Sequence, residues 1–248
     1  MGVSMMFLSN STLGEIVRTQ VKFKVSAYSG AVVSLIFVQL LGLLFSMNGF
    51  STLGTNVNNT NVRIITITPD TVFTFVAIWA LFVGKLITTK AYRYDDFSYV
   101  TSRLSSNLAN ISVLCLMSIF AGVTAFLSNY LLRVVLLLFG DVDYVKSANI
   151  LENPLGSIVT IGVMVALLIT ISAGGYLWGM LVEIHKAFTF LLLFLIIMMF
   201  ATKTGQTILQ YVFIENESIV ILAVKLIGVS IVFFTLAILC SNRLEVRQ

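Results

Sequence analysis

Charge is scarce in this sequence. Only 10% of its 248 residues are Asp, Glu, Lys or Arg, against about a quarter in a soluble domain, and 58% are apolar. Water is thereby excluded as the main solvent. Proline is limited to Pro69 and Pro154, which leaves apolar runs of about 20 residues free to form helices long enough for a hydrocarbon core of about 30 Å. The two cysteines, Cys115 and Cys240, both fall inside such runs, so a disulfide framework has no support. The single histidine, His185, has no second histidine to complete a helical zinc-protease pattern, and Glu183, His185 and Lys186 read as a charge-balanced turn. A Gly-rich phosphate loop is missing, so P-loop chemistry is excluded as well. Residues 1–10 lack a basic stretch before their short apolar patch, and the first span is expected to act as the insertion signal.

What is present reads as an all-α polytopic membrane protein, a single transmembrane domain over residues 1–248. Six spans are expected at about 27–48, 71–89, 108–128, 157–182, 187–202 and 219–240. Ahead of them, Leu13, Ile16, Val17, Val21 and Val25 recur at helical spacing, with Glu15, Arg18, Lys22 and Lys24 between them. That is the pattern of an amphipathic helix lying in the membrane interface. The apolar run from Leu108 to Phe139 is too long for one crossing. Ser128, Asn129 and Arg133 predict a break near Asn129, followed by a short interfacial helix. Residues 49–70 and 141–156 are polar connections, the first containing the β-branched run from Val62 to Thr68. The semi-apolar stretch from Lys203 to Ser218 is expected to dip into the interface.

Basic residues divide unevenly between the two sides. With the N-terminus inside, ten lie at the inner side (Arg18, Lys22, Lys24, Lys85, Lys90, Arg93, Arg103, Lys186, Arg243 and Arg247). The outer side has four, Arg63, Arg133, Lys146 and Lys203. This bias predicts that both termini are cytoplasmic.

Three features carry candidate function. Gly174, Gly175 and Gly179 form a small-residue stripe that predicts close helix packing or a hinge, with Tyr176 and Trp178 expected in the inner aromatic belt. The connection from Lys90 to Arg103 mixes both charge signs with Tyr92, Tyr94, Phe97 and Tyr99, a composition suited to docking against another protein. Inside the spans no acidic residue occupies a centre, and Gln39 and Asn110 are the main polar groups beside Ser and Thr. This argues against ion-coupled antiport and is compatible with a path for something large, apolar or amphipathic.

The leading segment, the six spans, the loop from Lys90 to Arg103, the minimal turn from Glu183 to Lys186 and the stretch before the last span together resemble the permease subunit of an ABC-2-type exporter. The resemblance is architectural and covers nearly the whole chain. It implies a bacterial plasma-membrane subunit that works by alternating access. Its partners would be a separate ATP-binding ABC subunit, a second permease copy or a related permease, and membrane lipids, with no nucleic acid. The chain itself would be no enzyme and bind no cofactor; ATP and Mg would sit in the partner. Arg93, Tyr94, Asp95, Asp96 and Phe97 become candidate coupling residues by position. Hydrophobic peptides, antimicrobials or lipids are the implied substrates. Three alternatives remain open: a non-transporting immunity or sensor protein, a secondary transporter with discontinuous helices, and an intramembrane enzyme with convergent polar groups.

Overall fold

Local capping chemistry sets where the helices begin. The computed structural model describes residues 12–47, 53–55, 64–67, 70–90, 92, 102–139, 144–147, 153–211 and 218–243. Thr12 Oγ1 accepts from the Glu15 amide at 3.4 Å while the Glu15 carboxylate accepts from the Thr12 amide at 3.0 Å. This reciprocal cap starts α1 (Leu13–Ala27). After Tyr28 the chain resumes as α2 (Ser29–Met47), and α3 (Asp70–Ile87) opens with an acid in its first turn, where the helix dipole favours one. Ser102 Oγ accepts from the Ser105 amide at 3.2 Å at the head of α4 (Arg103–Phe139). Asn153 Oδ1 accepts from the Gly156 amide at 2.9 Å, and Pro154 takes the first position of α5 (Pro154–Ile184). Then follow α6 (Phe188–Ala201), α7 (Lys203–Leu209) and α8 (Ile219–Arg243).

Among the described residues, α2, α3, α4, α5 and α8 are long and apolar enough to cross a bilayer. That is the make-up of a multi-pass membrane protein. Helix α5 is the centre of the bundle, packed by α3, α4 and α8, and Leu168, Ala173 and Tyr176 on it are fully buried. Paired residues give the directions. Trp79 Nε1 donates to Ser34 Oγ at 2.9 Å and Phe75 stacks on Phe45, so α2 and α3 run antiparallel. Asn107 meets Tyr176, whereas Gly122 faces Val165, so α4 and α5 are antiparallel too. In contrast, Thr170 Oγ1 donates to the Leu226 carbonyl at 3.1 Å and Tyr176 lies against Phe234; α5 and α8 run parallel. Helix α3 shares that direction, because Leu81 meets Gly175 and Thr88 meets Gly179. Lys24, Lys85, Arg103 and Lys186 therefore gather at one end of the bundle, called the basic end below.

Three expectations change. Helix α4 does not break near Asn129: its 37 residues are continuous, because neither proline nor glycine occurs between Val123 and Phe139. Ser128 and Asn129 are buried at 7% and 2% exposure rather than facing an interface. At 1.5 Å per residue α4 is about 55 Å long and must tilt or protrude. The fifth expected span is the 14-residue α6, about 21 Å long. It ends at extended Thr202, whose Oγ1 accepts from the Gly205 amide at 3.1 Å to start α7. The architecture also gains a three-stranded sheet of β1 (Leu53–Thr55), β2 (Ile64–Ile67) and β3 (Tyr144–Ser147). β1 pairs antiparallel with β2 (Leu53 opposite Thr66), and β2 pairs parallel with β3 (Ile64 opposite Tyr144). The pairing is possible because β2 leads into the start of α3 and β3 follows the end of α4, which lie at the same end of the bundle.

Candidate functional site: a buried polar seam at the basic end

Helix α1 turns a polar stripe toward the protein. Gln20, Lys24 and Tyr28 recur every four residues, one face of a helix, and are 9%, 3% and 7% exposed, while Leu13, Phe23 and Val25 remain on the outside. Lys24 was expected on the solvated side of an amphipathic helix; it instead enters the bundle. Its ammonium donates a short hydrogen bond to Asn110 Oδ1 and reaches Ser106 Oγ at 3.5 Å. Ser106 and Asn110 lie one turn apart on α4, so α4 offers two acceptors at the spacing one Lys head can span.

The seam continues into α5. Tyr176 OH donates to Asn107 Oδ1 at 2.8 Å, and Asn110 Nδ2 reaches the same hydroxyl at 3.5 Å. Asn107, Asn110 and Tyr176 are all buried, so these bonds replace water that is no longer there. Tyr176, expected in the aromatic belt, is the deepest aromatic of the seam, with its ring 6.2 Å from that of Phe234 on α8. Trp178 does sit at the basic end, with Lys85 Nζ 4.6 Å from its ring centroid. Two polar atoms of the seam, Gln20 Oε1 and Asn107 Nδ2, are buried without a hydrogen-bond partner. A buried polar atom that nothing satisfies costs on the order of 1–3 kcal/mol.

Beside the seam lies the glycine stripe, which divides between two neighbours. A Cβ on Gly84 would strike the Ser172 carbonyl oxygen, one on Gly175 the Leu81 carbonyl oxygen, and one on Gly179 the Thr88 hydroxyl. Helices α3 and α5 thus touch backbone to backbone. Gly174 faces α8, where the Phe233 ring would lie 3.6 Å from an added Cβ. Helix α5 runs unbroken through all three glycines, so they are packing positions within a continuous helix.

Arg93, Tyr94, Asp95, Asp96 and Phe97 lie outside the described residues. Their neighbour Tyr92 is described, and its ring meets that of Tyr28 edge-on at 5.1 Å between centroids. Tyr92 and, on the first turn of α4, Ser106 thus both lie against the end of α1 that contains Lys24 and leads into Tyr28. His185 closes the turn between α5 and α6, its Nδ1 accepting from the Ala187 amide at 3.2 Å. Among the described residues no three His, Cys, Asp or Glu side chains gather as a metal site. Sequence reading missed Lys24 and Tyr176; the repeat of Gln20, Lys24 and Tyr28 at every fourth position was the available signal.

Fold and seam define a class, a multi-pass helical membrane protein whose leading helix is keyed into its span bundle by a buried lysine. No family model, curated protein or solved structure matches the chain.

Proposed function

We propose that the chain is the membrane-spanning permease subunit of an ATP-driven exporter of the ABC-2 type, moving a hydrophobic or amphipathic substrate by alternating access. The observation that carries this reading is the junction at the basic end. Lys24 of α1, Asn110 and Asn107 of α4 and Tyr176 of α5 form one hydrogen-bonded path, and Tyr28 joins it to the base of the loop after α3 through Tyr92. A push on α1 or on that loop by a partner ATPase would reach the central helix through bonds rather than through solvent. Arg93 to Phe97 would form the contact surface, and the ATP, Mg and hydrolysis would belong to the partner.

Six crossings with both termini cytoplasmic fit this reading. Parallel α5 and α8 require the chain between them to return toward the end where both begin. Lys225 Nζ donates to the Tyr211 carbonyl at 2.9 Å, which holds Tyr211 near the level of Thr170 on α5. Ile184 is fourteen residues beyond Thr170, or about 21 Å toward the basic end, and the 14-residue α6 covers about that distance. On this reading α6 and α7 carry the chain from the basic end to about the level of Thr170 as part of the fifth crossing, and the basic end faces the cytoplasm.

The test is purification of the tagged chain from its native membrane in mild detergent. A companion variant carries alanine at Tyr94, Asp95, Asp96 and Phe97. Recovery of an ATPase with the parent and not with the variant is the expected result. A folded protein that never brings an ATPase would overturn the proposal. Secondary transport is the second reading, favoured by the buried Lys24; it expects ATPase-free protein whose flux in vesicles follows an imposed ion gradient.

A further inference from the structure

Helices α2 and α4 run side by side in the same direction and leave a groove of about 340 Å³ between them, lined by Ile36, Gln39, Leu40, Thr124, Leu127 and Leu131 among others. The rims are apolar and exposed: Ile36, Leu40, Leu127 and Leu131 are each about half accessible. Among the lining residues is a single primary amide, that of half-buried Gln39. Within the apolar window Ser29–Ser46, Gln39 lies ten residues from one end and seven from the other, about 15 and 10 Å, which puts it near the bilayer midplane. Among the described residues its only hydrogen bond is the one Nε2 donates to Thr124 Oγ1 at 2.7 Å. Oε1 and the second N–H are left over, in a groove that opens sideways from the bundle.

Lipid tails hold no donor or acceptor at that depth, and an amide left facing hydrocarbon is costly. What can satisfy it there is another transmembrane helix. We propose that this groove is the face on which a second copy of the chain docks, with the two Gln39 side chains paired across a twofold axis. The primary amide is self-complementary: each Gln39 donates its spare N–H to the Oε1 of its counterpart. One residue therefore supplies both halves of the contact, as an isologous interface requires. Exposed Ile36 and Leu40 of each copy flank the pair. This deepens the permease reading by naming the face and the residue through which its second copy binds, but it needs only that α2 and α4 cross the bilayer.

The experiment counts copies per particle by single-molecule photobleaching of the fluorescently tagged full chain in lipid nanodiscs and in vesicles at stepwise dilution. Dimers are expected, and Gln39→Leu is expected to weaken dimerisation by roughly threefold to thirtyfold, the range of transmembrane side-chain hydrogen bonds. Thr124→Val removes the intramolecular partner but keeps the amide, so dimerisation should persist. With Cys115 and Cys240 replaced by serine, Ile36→Cys should crosslink between copies in native membranes. A monomer at all dilutions, an unchanged dimer in Gln39→Leu, or a dimer that does not crosslink through position 36 overturns the proposal. The ATPase recovery above is read separately: a monomer that brings an ATPase sinks only this inference, and a Gln39-dependent dimer without one sinks only the permease reading.

Discussion

Replacing Lys24 with methionine keeps most of the stem and removes the ammonium, so Asn110 Oδ1 loses its donor inside the bundle. The expected cost is about 1–3 kcal/mol, read as lower unfolding stability in a fixed detergent. Asn110→Leu should cost a similar amount alone, and the double variant clearly less than the two together, because both remove the same bond. Equal and additive losses would mean that the bond contributes nothing. Composition could not have distinguished Lys24 from Lys22, since both stand between apolar residues on a short helix. Spacing puts Lys24 on one face with Gln20 and Tyr28, and the packing of α1 on α4 makes that face the buried one: Lys22 is exposed and Lys24 is 3% accessible. The same holds for Tyr176, where proximity to an expected interface pointed outward and the approach of α4 turned the ring inward.

For the helices, apolar run lengths located four of the five long spans to within a few residues, because the hydrophobic requirement of a bilayer is written residue by residue; α4 alone runs eleven residues past its expected end. Relations between helices were less legible. The glycine stripe announced a close contact but not its partner, which depends on Gly84 of α3 lying opposite Gly175. Gly175→Ala must push the α3 backbone away and should destabilise by about 1–3 kcal/mol, as overpacking does. Gly174→Ala meets only the Phe233 ring at ordinary contact distance and should stay within about 0.5 kcal/mol of the parent. Thermal unfolding of the two variants side by side checks the pair; equal effects would refute the backbone-to-backbone seam. The expected break at Asn129 failed for a related reason. Polar side chains inside an apolar run read as a boundary, yet their burial against the bundle lets the helix continue.

Across the whole molecule, the parallel set α3, α5 and α8 makes a topological prediction. A cysteine introduced at His185 should react with a membrane-impermeant thiol reagent only from the cytoplasmic side, and one at Ser218 only from the opposite side, in a chain lacking Cys115 and Cys240. Labelling of both from one side would mean that α6 and α7 form a hairpin that does not cross. Net basic bias predicts the sidedness that this labelling tests, while α6, with 14 residues, is too short for length alone to decide whether it crosses.

The small sheet has a bearing on how the chain is made. Ile64 is paired with Tyr144, eighty positions later, and the whole of α3 and α4 lies between them. Contacts so distant along the chain form late, after the loop between them has been closed. During synthesis β2 must therefore wait, with its free edge beside β1, until both helices have been threaded and β3 emerges at the same face. The parallel pair can therefore form only once α3 and α4 have brought their outer ends together, which makes the sheet a latch on the arrangement of the segment between its strands.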